Sequence, residues 1–346
     1  MDVRLSAEQQ ALRDSVAQVC DHLGPHAVGE LDDLERAEKL EAAVAASGWR
    51  ELRVAEDDGA PLASGVEVAT IAEELGRGLA DAPFLGPTLA AELRRLAGAP
   101  AATAPETVVL DRSRTAAAVA SDGALAPGAV AIDAHGAASA LVLVPSSAGP
   151  VLGEVALVPV AERLDLTRPS AVPDPGSRAV ELAAAGRPFT DADLAAWTAL
   201  GLAITSADLV GTMRGAVDLS VEYAAARRQY GKAIGSFQAV QHLLADALVA
   251  TEGARSIGLH AAWAVDALDP EDALGAAAVA KAYCARSARI VCETAIQVHG
   301  GIGNTWECLA HVHLRRALLS SDVLGGAGVS LARVLDHQLR ADRGLR

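Results

Sequence analysis

Apolar residues recur at helical spacing almost from the start of the chain. After Ser6-Ala-Glu-Gln9, which reads as a capping box, Leu12, Val16 and Val19 fall on one face. The same period covers 34–46, closed by Gly48, and 65–76, through Val68, Ile71, Ala72 and Leu75, with a polar loop at 49–61 between them. Pro87 suits the first position of a further helix running to Gly98. An all-helical unit over 1–105 follows, ending in an Ala/Pro-rich linker.

From 107 to 184 the pattern shortens to the apolar runs 107–110, 116–120, 129–132, 140–144, 155–160 and 178–182, punctuated by Gly, Pro and Asp. This predicts a small antiparallel β-domain over 106–186. Helical spacing returns after Gly186-Arg187-Pro188. Asp191 can cap a helix running through Trp197, Leu200, Ile204 and Leu209 to the region of Tyr223, and Ser236 can cap a second carrying Phe237, Val240, Leu244, Ala247 and Leu248. Asp269-Pro270 opens a third, and a last begins near Thr305 and passes Leu319. Four helices joined by short connections predict a four-helix bundle over 187–346. The fold class is therefore mainly α, with a small β-domain between two helical ones.

At 51% apolar but only 3% aromatic, the core must be built from Ala, Val and Leu, which lets helices approach closely. A formal charge of −15 argues against a nucleic-acid partner, whose phosphates demand a basic face. The polar N-terminus and the lack of a long uninterrupted apolar run indicate neither a secretory signal nor a membrane span, so a cytoplasmic location is expected. Cys20, Cys284, Cys292 and Cys308 form no C-x-x-C pair and read as reduced, mostly buried thiols; Met213 and the tryptophans read as core. His311 and His313, two apart on a helix, point to different faces and make no metal site.

Two stretches carry chemistry. The first, RRQYGKAIGSFQ at 227–238, places a guanidinium, amide side chains and free N–H groups where one helix ends and another starts, which suits a diphosphate. The second is IQVHGGIGNTWECLAHVHLRR at 296–316. Together they resemble the C-terminal domain of the acyl-CoA dehydrogenase family of flavoproteins, at Arg227, Gln229, Tyr230, Gly231, Phe237, Gln238, Gln297, Gly300, Gly301, Gly303, Glu307 and Arg315. Farther upstream, Glu73-Glu74-Leu75-Gly76-Arg77 resembles a landmark of that family's N-terminal domain; taken alone, the two glutamates read as an exposed helical face.

The resemblance implies FAD as cofactor and an acyl-CoA substrate. It implies that Arg227 and Gln229 contact the diphosphate and adenosine side, Tyr230, Phe237 and Gln238 pack beside it, and Gln297, His299, Gly300 and Gly301 give a close backbone approach, all serving the flavin of a neighbouring protomer. Glu307 and Arg315 are taken as structural. It further suggests an electron-transfer flavoprotein as acceptor.

Where that family's catalytic Glu stands, in either of its two locations, this chain carries Gly201 and Leu324. Leu202 and Asn304 depart as well, and TVVLDRSRTAAAVA replaces the loop that touches the flavin ring. The pattern suggests a short, base-lacking subunit that shares an FAD site with a longer acyl-CoA dehydrogenase subunit. Two alternatives stay open: a self-sufficient dehydrogenase with a relocated base, for which Asp322 is the nearest carboxylate, and a flavin-free assembly protein. Asp322, Glu222 and Asp208 each also read as solvated or capping acids.

Overall fold

The computed structural model describes residues 4–344. Helices α1 (Ala7–Leu23), α2 (Leu34–Ala46), α3 (Gly65–Arg77) and α4 (Leu85–Ala97) come first. The capping box at Ser6 and Gln9 forms, and Ser64 with Glu67 makes a second one at the start of α3. Helix α4 begins two residues before Pro87. Its cap is borrowed from afar: the Asp133 carboxylate accepts the Phe84 N–H at 2.6 Å.

The strands are β1 (Glu106–Leu110), β2 (Val130–Ala131), β3 (Ser139–Val144), β4 (Val151–Pro159), β5 (Ala171–Pro173) and β6 (Val180–Glu181). Their order is β3-β1-β2-β5-β4-β6, and β3 also pairs with β4, so the pairing of β1 to β5 runs in a circuit. All pairs are antiparallel except β1 with β3. The expected strand at 116–120 is reduced to isolated bridges at Ala117 and Val119, 178–182 shrinks to β6, and β5 was not foreseen.

Helix α5 (Asp191–Ala226) is capped by Thr190 together with Asp193, so Asp191 is its first helical residue and not its cap. It packs on α3, on α6 (Gln238–Ala267), on α7 (Pro270–His299) and on α8 (Ala310–Asp322). The last predicted helix is broken in two: α9 (Ala327–Gly344) follows a link in which Leu324 and Gly325 both have positive φ, at 58° and 95°, and α9 packs back on α7. By length and composition α5 and the α8–α9 stretch could each cross a membrane, but 83% of the apolar window of α5 is buried inside the protein.

Close helix contact explains one reversal. Glu73 and Glu74 are buried, at 7% and 1% exposure, and not on an exposed face. A β-carbon at Gly211 would collide with the Glu73 carbonyl, and one at Gly215 with the Arg77 carbonyl, so α5 lies directly on the side of α3 that carries the two acids. Their charge is met by Arg214, whose guanidinium reaches both at 2.6 Å. The four cysteines are free and buried, and Met213, Trp49 and Trp197 are core; Trp306 is 65% exposed, against expectation.

Candidate functional site

At the end of α5 the chain leaves the helix at Arg227 and makes a two-residue hairpin, β7 (Arg228–Gln229) against β8 (Lys232–Ala233). The central residues Tyr230 and Gly231 have φ of 51° and 80°, the combination that such tight hairpins require and that a non-glycine residue adopts at a cost. Tyr230 is 92% exposed and meets the Phe237 ring edge-on, while Lys232 Nζ lies 4.5 Å from the centre of that ring. Phe237 is the N-cap of α6. Ser236 is not: its hydroxyl turns back to the Ala233 carbonyl. Arg227, Gln229 and Gln238 are exposed, and among the described residues no carboxylate forms an ion pair with Arg227.

The second motif closes α7. His299 stacks on Tyr223 with ring centres 4.4 Å apart, which brings the C-terminal ends of α5 and α7 together. Its Nδ1–H donates to the Ala295 carbonyl at 2.7 Å, so Nε2 is left facing Cys308. Burial would push the Cys308 thiol up, but His299 and the Ala310 N–H at the start of α8 bring it below its ordinary value. Burial, the largest cause, pushes Cys20 and Cys284 up to about 12. Beyond His299 the chain enters a 3-10 turn over Gly300–Asn304. Gln297, Gly300 and Gly301 are exposed, and a β-carbon on either glycine would meet nothing of this chain within 4 Å. Gly300 needs its own backbone conformation (φ 65°, ψ −141°). Packing within the chain gives no reason for glycine at 301, and the space beside it is open to an outside group. The exposed guanidinium, amides and bare backbone at this end fit a diphosphate. Glu307 is exposed, and Arg315 lies over the Trp306 ring and donates to the Leu164 carbonyl.

The other predicted positions meet elsewhere, in the middle of the bundle. Leu324 is fully buried, and one of its methyl groups occupies the space where a side chain on Gly201 would stand, with Leu89 of α4 beside it. Positions 201 and 324, where the resemblance expects a base, are thus in contact with each other, and both are apolar. Asp322, at the end of α8, is about half exposed and paired with Arg114. The Arg114-bearing turn is the segment that replaces the flavin-ring loop. Asp111 folds it by accepting the Thr115 N–H at 2.7 Å, and Arg333 ties it to the α8–α9 link through the Thr115 and Leu324 carbonyls.

Around this core lies a charge cluster that sequence reasoning missed. Asp208 is buried, not solvated: it accepts from Arg316 at 2.7 Å and 3.0 Å and from Ser320, and Arg168 reaches it at 3.4 Å while holding Asp165 at 2.9 Å. Burial would raise the Asp208 carboxyl, yet Arg168 and Arg316 hold it below its usual range. Lys281 is also fully buried and donates to the Ser320 carbonyl; burial draws it down to about 7. The available signal was a single acid or base within a long apolar helical pattern, at 208 and at 281. Glu222 is exposed, as expected.

The family profile described as "Acyl-CoA dehydrogenase, C-terminal domain" matches residues 199–339. Over 331 residues the chain is 33% identical to "Acyl-CoA dehydrogenase IpdE2" of Mycobacterium tuberculosis, covering 92% of this chain and 93% of that protein. A more local likeness, 43% over 135 residues, links it to "Acyl-CoA dehydrogenase FadE34" of the same organism; it covers 39% of this chain and 19% of that longer protein. Among solved structures, "Tcur3481-Tcur3483 steroid ACAD G363A variant" superposes with a TM-score of 0.80 at 23% identity, covering 97% of this chain and 99% of that one. The ChsE4-ChsE5 complex from Mycobacterium tuberculosis gives 0.76 at 23% identity, covering 98% and 99%.

Proposed function

This chain belongs to the acyl-CoA dehydrogenase family, and from that premise we propose that it is the subunit contributing half of an FAD site in a heteromeric enzyme. That enzyme oxidises an acyl-CoA thioester to the 2,3-enoyl-CoA, and a longer partner subunit supplies the flavin-ring contacts and the catalytic carboxylate. The observation that carries the reading is the contact of Gly201 with Leu324. Removing the thioester's α-proton needs a positioned base, and this chain has a hydrogen atom and an isobutyl group at the two places from which the family supplies one.

When bound, FAD accepts the hydride lost by the substrate. The work of this chain is at the other end of the cofactor. Arg227 offers a charge-assisted grip on the diphosphate, Gln229, Gln238 and Gln297 add amide donors, and Gly300 and Gly301 let the backbone come close. Tyr230 and Phe237 wall the same end. These groups face outward, which suits a cofactor seated mainly on a neighbour. The pairing of two polypeptides in the ChsE4-ChsE5 complex supports such an arrangement, and an electron-transfer flavoprotein is the proposed electron acceptor.

Expression of the chain alone and together with a longer acyl-CoA dehydrogenase encoded nearby tests the reading. Flavin absorbance and turnover are expected only from the co-expressed pair. Full flavin occupancy with dehydrogenase turnover by the isolated chain would overturn it, and a pair without flavin would point to an assembly role. Asp322 is the carboxylate for a self-sufficient enzyme, but its pairing with Arg114 already occupies it; unchanged turnover of the co-expressed pair in Asp322→Asn would confirm that it is not the base.

A further inference from the structure

A cleft of about 830 Å³ lies on the far side of α4 from the Gly201–Leu324 contact. Pro87 and Ala91 of α4 line it, and each is two positions from Leu89, hence roughly 200° around the helix from the residue that faces Gly201. Val54 forms another wall, and the Ala/Pro-rich strip 98–106 closes it. The volume is that of a small-molecule site, and most of the lining is hydrocarbon.

Its charges define what could enter. Arg50 gives both terminal nitrogens to Glu41 at 2.6 Å, and Arg94 is matched by Glu106. Arg95 is matched by Glu92, which it shares with Arg53, and Arg53 has Asp266 besides. The guanidinium charges of the wall are thus balanced one for one, and an anion would find no spare counter-charge. Asp133 also reaches the lining, but its carboxylate turns to the Phe84 N–H and lies in the field of Arg168 and Arg316.

Glu51 differs from all of these. It stands in the same lining, is exposed, and forms no ion pair among the described residues. The neighbouring loop carries Glu56, Asp57 and Asp58, equally unpaired, and Arg95 ties that loop to α4 through the Gly59 carbonyl at 3.1 Å. A hydrocarbon-walled cleft with surplus charge of one sign concentrates ligands of the other. The same carboxylates disfavour the phosphates of a CoA thioester, so the cleft is not an extension of an acyl-CoA site.

We propose that this cleft binds a lipophilic organic cation, an apolar body bearing one protonated amine, with the ammonium at Glu51 and the body along Pro87, Ala91 and Val54. The site shares no residue with the flavin-gripping end, so it stands or falls separately from the proposed dehydrogenase role.

Adamantylamine and adamantanol, the same hydrocarbon cage carrying an ammonium or a hydroxyl, serve as probes, titrated calorimetrically into the full-length chain. Saturable binding of one amine per chain is expected, roughly five-fold tighter than the alcohol. Glu51→Gln should bring the two probes level, whereas Glu162→Gln, an exposed acid outside the lining, should keep the preference. Ala91→Phe, which fills the cleft from α4, should weaken both probes roughly ten-fold or more with an unchanged circular dichroism spectrum. Non-saturable uptake, equal binding of the two probes by wild type, a preference that survives Glu51→Gln or is lost equally in Glu162→Gln, or undiminished binding by folded Ala91→Phe would each overturn the proposal.

Discussion

Two parts of α5 obey opposite rules. Where the helix finishes, Arg227, Gln229 and Tyr230 are exposed, and glycine stands at 301 with no neighbour to require it. Nearer its start, Gly201 is packed against Leu324 and Leu89, so that any side chain there must push the Leu324 methyl aside. In the first region the sequence exceeds what folding needs, and in the second it does nothing except fold. Exposed polar groups without internal partners are free for the proposed cofactor contact; a space filled to contact leaves no room for a ligand.

The largest expected effect is on the charge cluster beside the filled region. Asp208→Ala would leave Arg316 buried without its counter-charge and Arg168 with Asp165 alone, and should cost about 3–5 kcal/mol in denaturant unfolding. A loss well under 1 kcal/mol would mean that water reaches this region and that it is not sealed. Gly201→Glu comes next. Its side chain must displace Leu324, so we expect a loss of about 1–3 kcal/mol and no gain of turnover, with Leu324→Ala in the same chain restoring part of the stability. Wild-type stability in the single variant would remove the contact on which the contrast rests.

A third test uses pH. His313 is buried on α8, and burial brings it down to about 3. The folded value lies below the ordinary 6.5, so the unfolded chain binds the extra proton. The stability contributed by keeping it neutral is present above about pH 6.5 and is lost as pH falls towards 3. Between pH 7 and pH 5 that loss should be about 2 kcal/mol, and His313→Gln should flatten this part of the stability profile. The smallest change in stability belongs to Arg227→Ala, within about 0.5 kcal/mol because the residue is exposed and unpaired. The same variant should reduce flavin retention by the co-expressed pair; full retention would show that the exposed end grips nothing.

Local chemistry was the readable part. Ser6 and Gln9 announce the start of α1, Gly48 the end of α2, and the hairpin at Tyr230-Gly231 falls where the glycine breaks the helical pattern. That glycine and leucine, and no carboxylate, stand at 201 and 324 was also visible, but not that the two positions touch, because nothing in either neighbourhood encodes the other. Burial of Glu73 and Glu74 depends on Gly211 and Gly215, and the cap of α4 depends on Asp133, all distant in the chain. The run at 116–120 has the composition of a strand, but the turn at Asp111 and the tether from Arg333 to Thr115 leave it only isolated bridges.

The interlock of Leu324 with Gly201 also bears on which mutational routes remain open to this polypeptide. A glutamate introduced at 201 strikes the leucine, and one introduced at 324 faces a dry wall of Leu89 and glycine. Either single step costs stability, so a carboxylate at this place would be accommodated more readily by two coordinated substitutions than by one.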